Sequence, residues 1–291
     1  MELQLTTKIL DAAHVCHNQA GAILDDRSEI TDEGIHTLRV QTKRLRAYWE
    51  LLYPLVGKSQ VRSATKQLRD ASASFGAARD HHVMVKLLGK LVAKAKKPKL
   101  QSSLADALKA ISDTQAPLFQ ATASDRATSR EVVAQTWKQD RQRWNDLRVD
   151  CESDSQGNRC VRKGLQRIFK KARKLHARAV AEHEIERWHE LRKWVKYLSL
   201  TVPLCGDDPA TTIAAEEWAR LGKTLGKLHD YDELIIRIGQ LTPTQIDAQQ
   251  SDRAIQWLAD KRDRLCVRCD MHARRLLAQR PGPFAKTLIP G

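Results

Sequence analysis

His36-Thr-Leu-Arg-Val-Gln-Thr-Lys-Arg-Leu-Arg-Ala-Tyr-Trp-Glu-Leu-Leu-Tyr53 is the stretch on which the fold turns. On a helix with 100° between residues, His36, Arg39, Lys43 and Arg46 fall within an arc of about 80°. Leu38, Leu45, Trp49 and Leu52 gather on the opposite side. One face suits a core and the other suits an anion.

The pattern returns at 189–202. His189, Arg192 and Lys196 repeat the spacing, with Leu191, Val195, Leu198 and Val202 opposite them. A second shared signature follows each copy, Phe75-Gly-Ala-Ala-Arg-Asp80 and Leu225-Gly-Lys-Leu-His-Asp230. The interval from His to this Asp is 44 residues in one half and 41 in the other. A single His-x-x-Arg-x-x-x-Lys says little, because charged helix faces are common. Two copies with matched downstream signatures imply a duplicated unit. The expected organisation is two helical halves, 1–150 and 151–291, that share an interface.

Composition agrees with an all-α chain. Ala, Leu, Lys and Arg are abundant, Gly and Pro sit between periodic segments, and no segment alternates with a period of two. Helices are expected over 2–27, from a cap at Thr31 or Asp32 to a stop at Pro54–Gly57, and over 58–75. Beyond these, helices are expected after Asp80, over 100–120 and over 125–149. The second half adds one through 159–178, then the second His helix, 212–228, 231–240 and 248–279. Lys94–Lys99 reads as an exposed junction, 121–130 as a mobile connection, Cys151–Asn158 as the linker between halves, and Arg280–Phe284 as a tail without helical period.

The net charge of +15 points to an anionic partner. Residues 159–178 hold nine Lys or Arg and no acid, and Lys163, Arg167, Lys170, Lys171, Lys174 and Arg178 share a broad face. Like charges on neighbouring turns repel, so a ligand is expected to offset them. Lys66 and Arg69 on the third helix are further candidates. Lys223 and Lys227 on the 212–228 helix, which resembles the 58–75 helix, join them. Arg79 reads as a ligand contact or the partner of an acid, and Asp80 as a helix cap. His36 and His189 suit phosphate: a neutral imidazole donates one hydrogen bond and a protonated one adds charge.

Several chemistries find little support. Cys266-x-x-Cys269-x-x-His272 lies within one expected helix with no second ligand pair, so no metal is expected. Neither a Walker A loop nor a nucleophile elbow occurs, and the basic faces lack the acidic cluster that holds Mg²⁺ in phosphohydrolases. No enzyme activity and no cofactor are therefore expected. Six scattered cysteines, no apolar stretch long enough to span a bilayer and no visible signal peptide suggest a cytoplasmic protein without membrane insertion.

The segments HTLRVQTKRLRAYWELL (36–52), FGAARDHHVMVKLL (75–88), GLQRIFKKARK (164–174), WHELRKWVKYL (188–198) and LGKLHDYDEL (225–234) resemble the CHAD domain, the "conserved histidine α-helical domain". The resemblance runs over roughly residues 5–285. It implies an all-α fold of two related four-helix bundles, arranged about a pseudo-twofold axis, with a basic central groove that binds inorganic polyphosphate. It also suggests localisation at polyphosphate granules. CHAD domains are often joined to a triphosphate-tunnel hydrolase domain, and none is expected within these residues. The second copy departs from the pattern: Ser199 stands where the first has Arg46, and Leu200 where an aromatic is usual. The second face is therefore expected to bind more weakly. The alternative partner is nucleic acid. Against it stand the scarcity of aromatics, none of them interleaved among the basic face positions, and the lack of a helix-turn-helix or RNA-binding signature.

Overall fold

A computed structural model describes residues 5–26, 30–73, 76–114, 123–147 and 154–290, without the side chains of 76–80, 123–128 and 154–155. The described residues form α-helices and no strand, so the chain is all-α. The first half holds α1 (Leu5–Asp25), α2 (Asp32–Leu51), α3 (Tyr53–Ala73), α4 (Gly76–Lys94), α5 (Pro98–Asp113) and α6 (Ala123–Asn145). The second holds α7 (Asp154–Glu182), α8 (Ile185–Thr201), α9 (Pro209–Gly239), α10 (Ala248–Leu276) and α11 (Pro281–Leu288).

Local chemistry sets the boundaries around the motif helix. The Thr31 side chain accepts the Gly34 amide at 3.1 Å and caps α2. At the other end the Leu52 amide still reaches the Tyr48 carbonyl at 3.0 Å. Gly57 then takes φ +81° and redirects the chain inside α3, a conformation that costs glycine least.

Packing divides the chain into two compact units. The first comprises Met1–Phe75, Ala123–Gly222 and His272–Gly291, and the second Gly76–Thr122 and Lys223–Met271. These lines follow packing, whereas the boundary near residue 150 follows the repeat, and each half of the sequence contributes to both units.

In the first unit the apolar sides of both motif helices are core. Leu38, Leu45, Trp49 and Leu52 are buried, as are Leu191, Val195, Leu198 and Val202. Here α2 packs on α1, α3, α7 and α8, and α7 packs on α8 and α11. α7 passes so close to the end of α2 that a Cβ at Gly164 would lie 1.8 Å from the Leu51 carbonyl oxygen. Only a residue without a side chain permits that approach. In the second unit, Leu88 of α4, Leu104 and Ile111 of α5, Leu234 and Ile238 of α9, and Leu258 of α10 form one cluster. Buried Asp232 pairs there with Arg262 at 2.9 Å.

Several expectations change. Residues 212–228 and 231–240 belong to one helix, α9, and Asp230 lies inside it. Asp80 falls within α4 rather than at its N-cap, and its side chain lies outside the described residues. Residues 123–130, expected as a mobile connection, are helical in α6; residues 121–122 are not among those described. Asp154–Asn158, expected as linker, is the first turn of α7, and 151–153 lie outside the described residues. The tail forms α11, with Pro281 at its start and Phe284 stacked on Phe169 at 4.2 Å and edge-on to Trp218 at 6.0 Å. A helix of eight residues carries too short an apolar pattern to reveal its period. No described helix is long and apolar enough to cross a membrane.

Candidate functional site

The two motif helices meet in the first unit, where α8 packs on α2 and α7 packs on both. Their polar sides bring together charges that are far apart in sequence. The Arg46 guanidinium is hydrogen-bonded to the buried phenol of Tyr197, and Arg69 of α3 lies near the same phenol. Burial, above all, pushes the Tyr197 hydroxyl up, so it stays a neutral partner for Arg46. The Nε of Arg46 is buried and has no hydrogen-bond partner.

On α8, Lys193 and Lys196 are both pushed down. Desolvation is the first cause for each. Arg46 is the next cause for Lys193, while Arg192 and Arg44 act on Lys196. Arg44 of α2 thus faces the second copy of the motif, although it lies outside the first.

Arg167 of α7 is engaged. Its Nη1 donates to Glu50 Oε2, its guanidinium lies 3.7 Å over the Tyr53 ring, and the Trp194 ring is 5.6 Å away. A guanidinium over an aromatic face gains attraction and orientation from the ring. Arg167 therefore ties α7 to α2 and α8, and Glu50 holds it there.

The other expected site residues fall as follows. His36 is exposed in the first turns of α2, and Arg39 and Lys43 are half-buried. Asp32 and Glu33 precede His36 in that first turn, where acids suit the helix dipole. His189 and Arg192 are half-buried on α8, and Lys196 is exposed. Lys163, Lys170, Lys171 and Lys174 are exposed along α7. Lys66 and Arg69 are exposed and share the carboxylate of Asp70, each at 3.0 Å. The hydrogen bond from Lys66 and then that from Arg69 hold the Asp70 carboxyl below its usual range. Lys223 and Lys227 are exposed on the part of α9 that belongs to the second unit. Arg79 belongs to α4, with its side chain outside the described residues.

Sequence reasoning passed over Arg44, Glu50, Tyr53, Lys193, Trp194 and Tyr197. The signal was faint. Lys193 and Tyr197 are four residues apart on α8, one helical row away from Arg192 and Lys196. A search restricted to the repeated spacing steps over that row.

The groups gathered here are guanidinium, ammonium and phenol. They supply hydrogen-bond donors and positive charge, which suits an oxyanion with several equivalent acceptors. Searches among curated proteins and among solved structures gave no match. The description "CHAD domain" matches residues 10–239, which include both motif helices and both Gly-x-x-(Arg/His)-Asp signatures. The chain belongs to the CHAD domain family.

Proposed function

We propose that this chain binds inorganic polyphosphate without turning it over, through a basic groove lined by its two His-x-x-Arg-x-x-x-Lys helices. The observation that carries the reading is the packing of α2 on α8 in a chain of the CHAD family. It gathers Arg44, Arg46, Arg192, Lys193 and Lys196 around few acids. In this reading the two sequence halves are related four-helix bundles, and His36 and His189 line one continuous groove. The basic face of α7 extends the surface for a long polymer. The protein acts in the cytoplasm, at polyphosphate granules.

A linear polyphosphate presents repeated anionic oxygens at short intervals. A row of Lys and Arg matches it by charge and by hydrogen bonding, with no need to read a base. Calorimetric titration with polyphosphate of defined lengths tests the reading, with DNA, RNA and nucleotides as competitors and orthophosphate release followed with and without Mg²⁺. Binding that strengthens with chain length, poor competition by nucleic acid and no released orthophosphate are expected. DNA or RNA that displaces the polymer at equal phosphate concentration would make nucleic acid the ligand, and Mg²⁺-dependent release of orthophosphate would make the chain a phosphohydrolase.

A further inference from the structure

Residues 81–105 hold six lysines, no arginine and no acid. All six lysines are exposed in the second unit, where α4 turns into α5. Lys86, Lys90 and Lys94 follow one another at every fourth position of α4, within an arc of about 80°. Lys96, Lys97 and Lys99 continue them through the turn into the start of α5. Backbone hydrogen bonds hold the turn in shape. The Ala95 amide reaches the Val92 carbonyl at 3.2 Å, and the Gln101 amide reaches the Lys97 carbonyl at 2.9 Å.

Local stability does not account for this cluster. Lys94 suits the carboxyl end of α4, but Lys97 and Lys99 stand at the positive end of α5. That helix has no acid in its first turn, and Lys97 gives it no side-chain cap. Elsewhere Lys8 pairs with Asp207 at 2.7 Å and Lys66 with Asp70 at 3.0 Å. Among the described residues none of the six lysines has an ion pair. The start of α10 lies beside α5, where Arg253 donates to Ser103 at 3.1 Å. Its Asp247 caps α10 itself, accepting the Gln250 amide at 3.1 Å.

Composition narrows the partner. A guanidinium fits a single oxyanion through its fork, whereas an ammonium on a flexible stem is a hydrated point charge. A surface of lysine alone attracts a broad sheet of anions without fixing any one of them. No Phe, Tyr or Trp lies among the six lysines to stack on a base. The exposed large apolar residues among those described, Val15, Val132, Ile213, Ile236, Val267 and Met271, are all on other helices, so this hairpin has nothing to insert into hydrocarbon. We propose that the α4–α5 hairpin is a docking surface for an anionic phospholipid bilayer, held by charge and without insertion. Headgroup phosphates form a plane wide enough to face the α4 row and the turn together. The contact uses none of the residues assigned to polyphosphate above.

Sedimentation with vesicles tests it, using the full chain free of polyphosphate. Vesicles of phosphatidylcholine alone are compared with vesicles of phosphatidylcholine and phosphatidylglycerol in equal parts. The chain should sediment with the second and stay in solution with the first, and salt should release it. Lys96→Gln, Lys97→Gln and Lys99→Gln combined should bind the anionic vesicles about tenfold or more weakly, since each lysine near such a surface contributes severalfold. The melting temperature of this variant should not fall, because it loses like charges from the start of α5, and its polyphosphate affinity should stay close to that of the wild type. Should it fail to fold, Lys86→Gln with Lys90→Gln on α4 replaces it, and a smaller loss is expected. No sedimentation of the wild type with anionic vesicles overturns the proposal, as does equal vesicle binding by the wild type and the hairpin variant. An equal loss in Lys163→Gln, Lys170→Gln and Lys174→Gln combined, which removes the same charge from α7, also overturns it, because net charge alone would then hold the chain to the bilayer. A parallel loss of polyphosphate affinity in the hairpin variant assigns these lysines to the polymer and overturns the lipid contact. A wild type that ignores vesicles but binds soluble polyglutamate through the hairpin makes an acidic protein the partner and overturns it likewise.

Discussion

Asp140 is 1% exposed and carries the polar interior of the first unit. Its Oδ2 lies 3.0 Å from His17 Nε2, and its Oδ1 accepts from Trp49 Nε1 at 3.0 Å. The other ring nitrogen, His17 Nδ1, lies 2.8 Å from the Ala13 carbonyl. The network ties α1 and α6 to the buried side of α2, directly behind its basic face. Asp140→Ala strands two buried donors, and unfolding in denaturant should show a loss of about 3–5 kcal/mol. Asp140→Asn keeps an acceptor for Trp49 and should cost less. A loss under about 1 kcal/mol for the alanine variant would mean that the site relaxes around the gap. Nothing in the spacing of His17, Trp49 and Asp140 hints at this network, because its members belong to three helices that meet only on folding.

Among elements, the crossing of α7 over α2 decides where the unbroken run of cations lies. Gly164 is the point of contact, with the Leu51 carbonyl in the space a side chain would need. Gly164→Ala must push the helices apart, and its cost should be about 1–3 kcal/mol or more, read from the denaturation midpoint. Polyphosphate affinity should fall with it, since Arg167, Glu50 and Lys193 lose register. An alanine variant of wild-type stability would show that α7 shifts freely. The two motif helices also differ in strength. Arg46 is held by Tyr197, whereas Ser199 at the matching place turns its hydroxyl back to the Lys196 carbonyl at 2.8 Å. Lys43→Ala with Arg46→Ala should therefore weaken binding more than Lys196→Ala, at roughly 1.5–3 kcal/mol for each lost charge-assisted contact. Equal losses in titrations of well-folded variants would place the two helices on the same footing.

At the scale of the molecule, the net charge of +15 governs association. A polyanion brings condensed counterions that leave as Lys and Arg replace them. Affinity should fall log-linearly with salt, as it does for nucleic acids, and the slope should count the displaced ions. Titrations at several salt concentrations measure it. Lys170→Ala with Lys174→Ala, both exposed on α7, should reduce the slope and leave the melting temperature in place. An affinity that ignores salt would point to a small neutral or apolar ligand instead.

The amino-acid pattern by itself determined the helical class, the repeat, the buried side of each motif helix and a cap at Thr31 or Asp32, which the structure gives to Thr31. These depend on periodicity and on neighbours within a turn or two, which a linear reading captures. Family membership was legible for the same reason, since it rests on residues within single helices. The continuity of α9 and the helix at Pro281–Leu288 were not legible. In the first, 212–228 and 231–240 read as two helices where there is one; in the second, burial of Phe284 against Phe169 and Trp218 stabilises a segment with little pattern of its own. Only the tertiary structure decided which cations stand together. The repeat places His36, Arg39, Lys43 and Arg46 on one helix and His189, Arg192 and Lys196 on another. Packing of α8 and α7 on α2 adds Arg44, Lys193 and Tyr197, and sets Arg167 against Glu50 and Tyr53. Desolvation and the charge of a neighbour act through space, and residues more than a hundred positions apart in sequence become neighbours only when their helices pack.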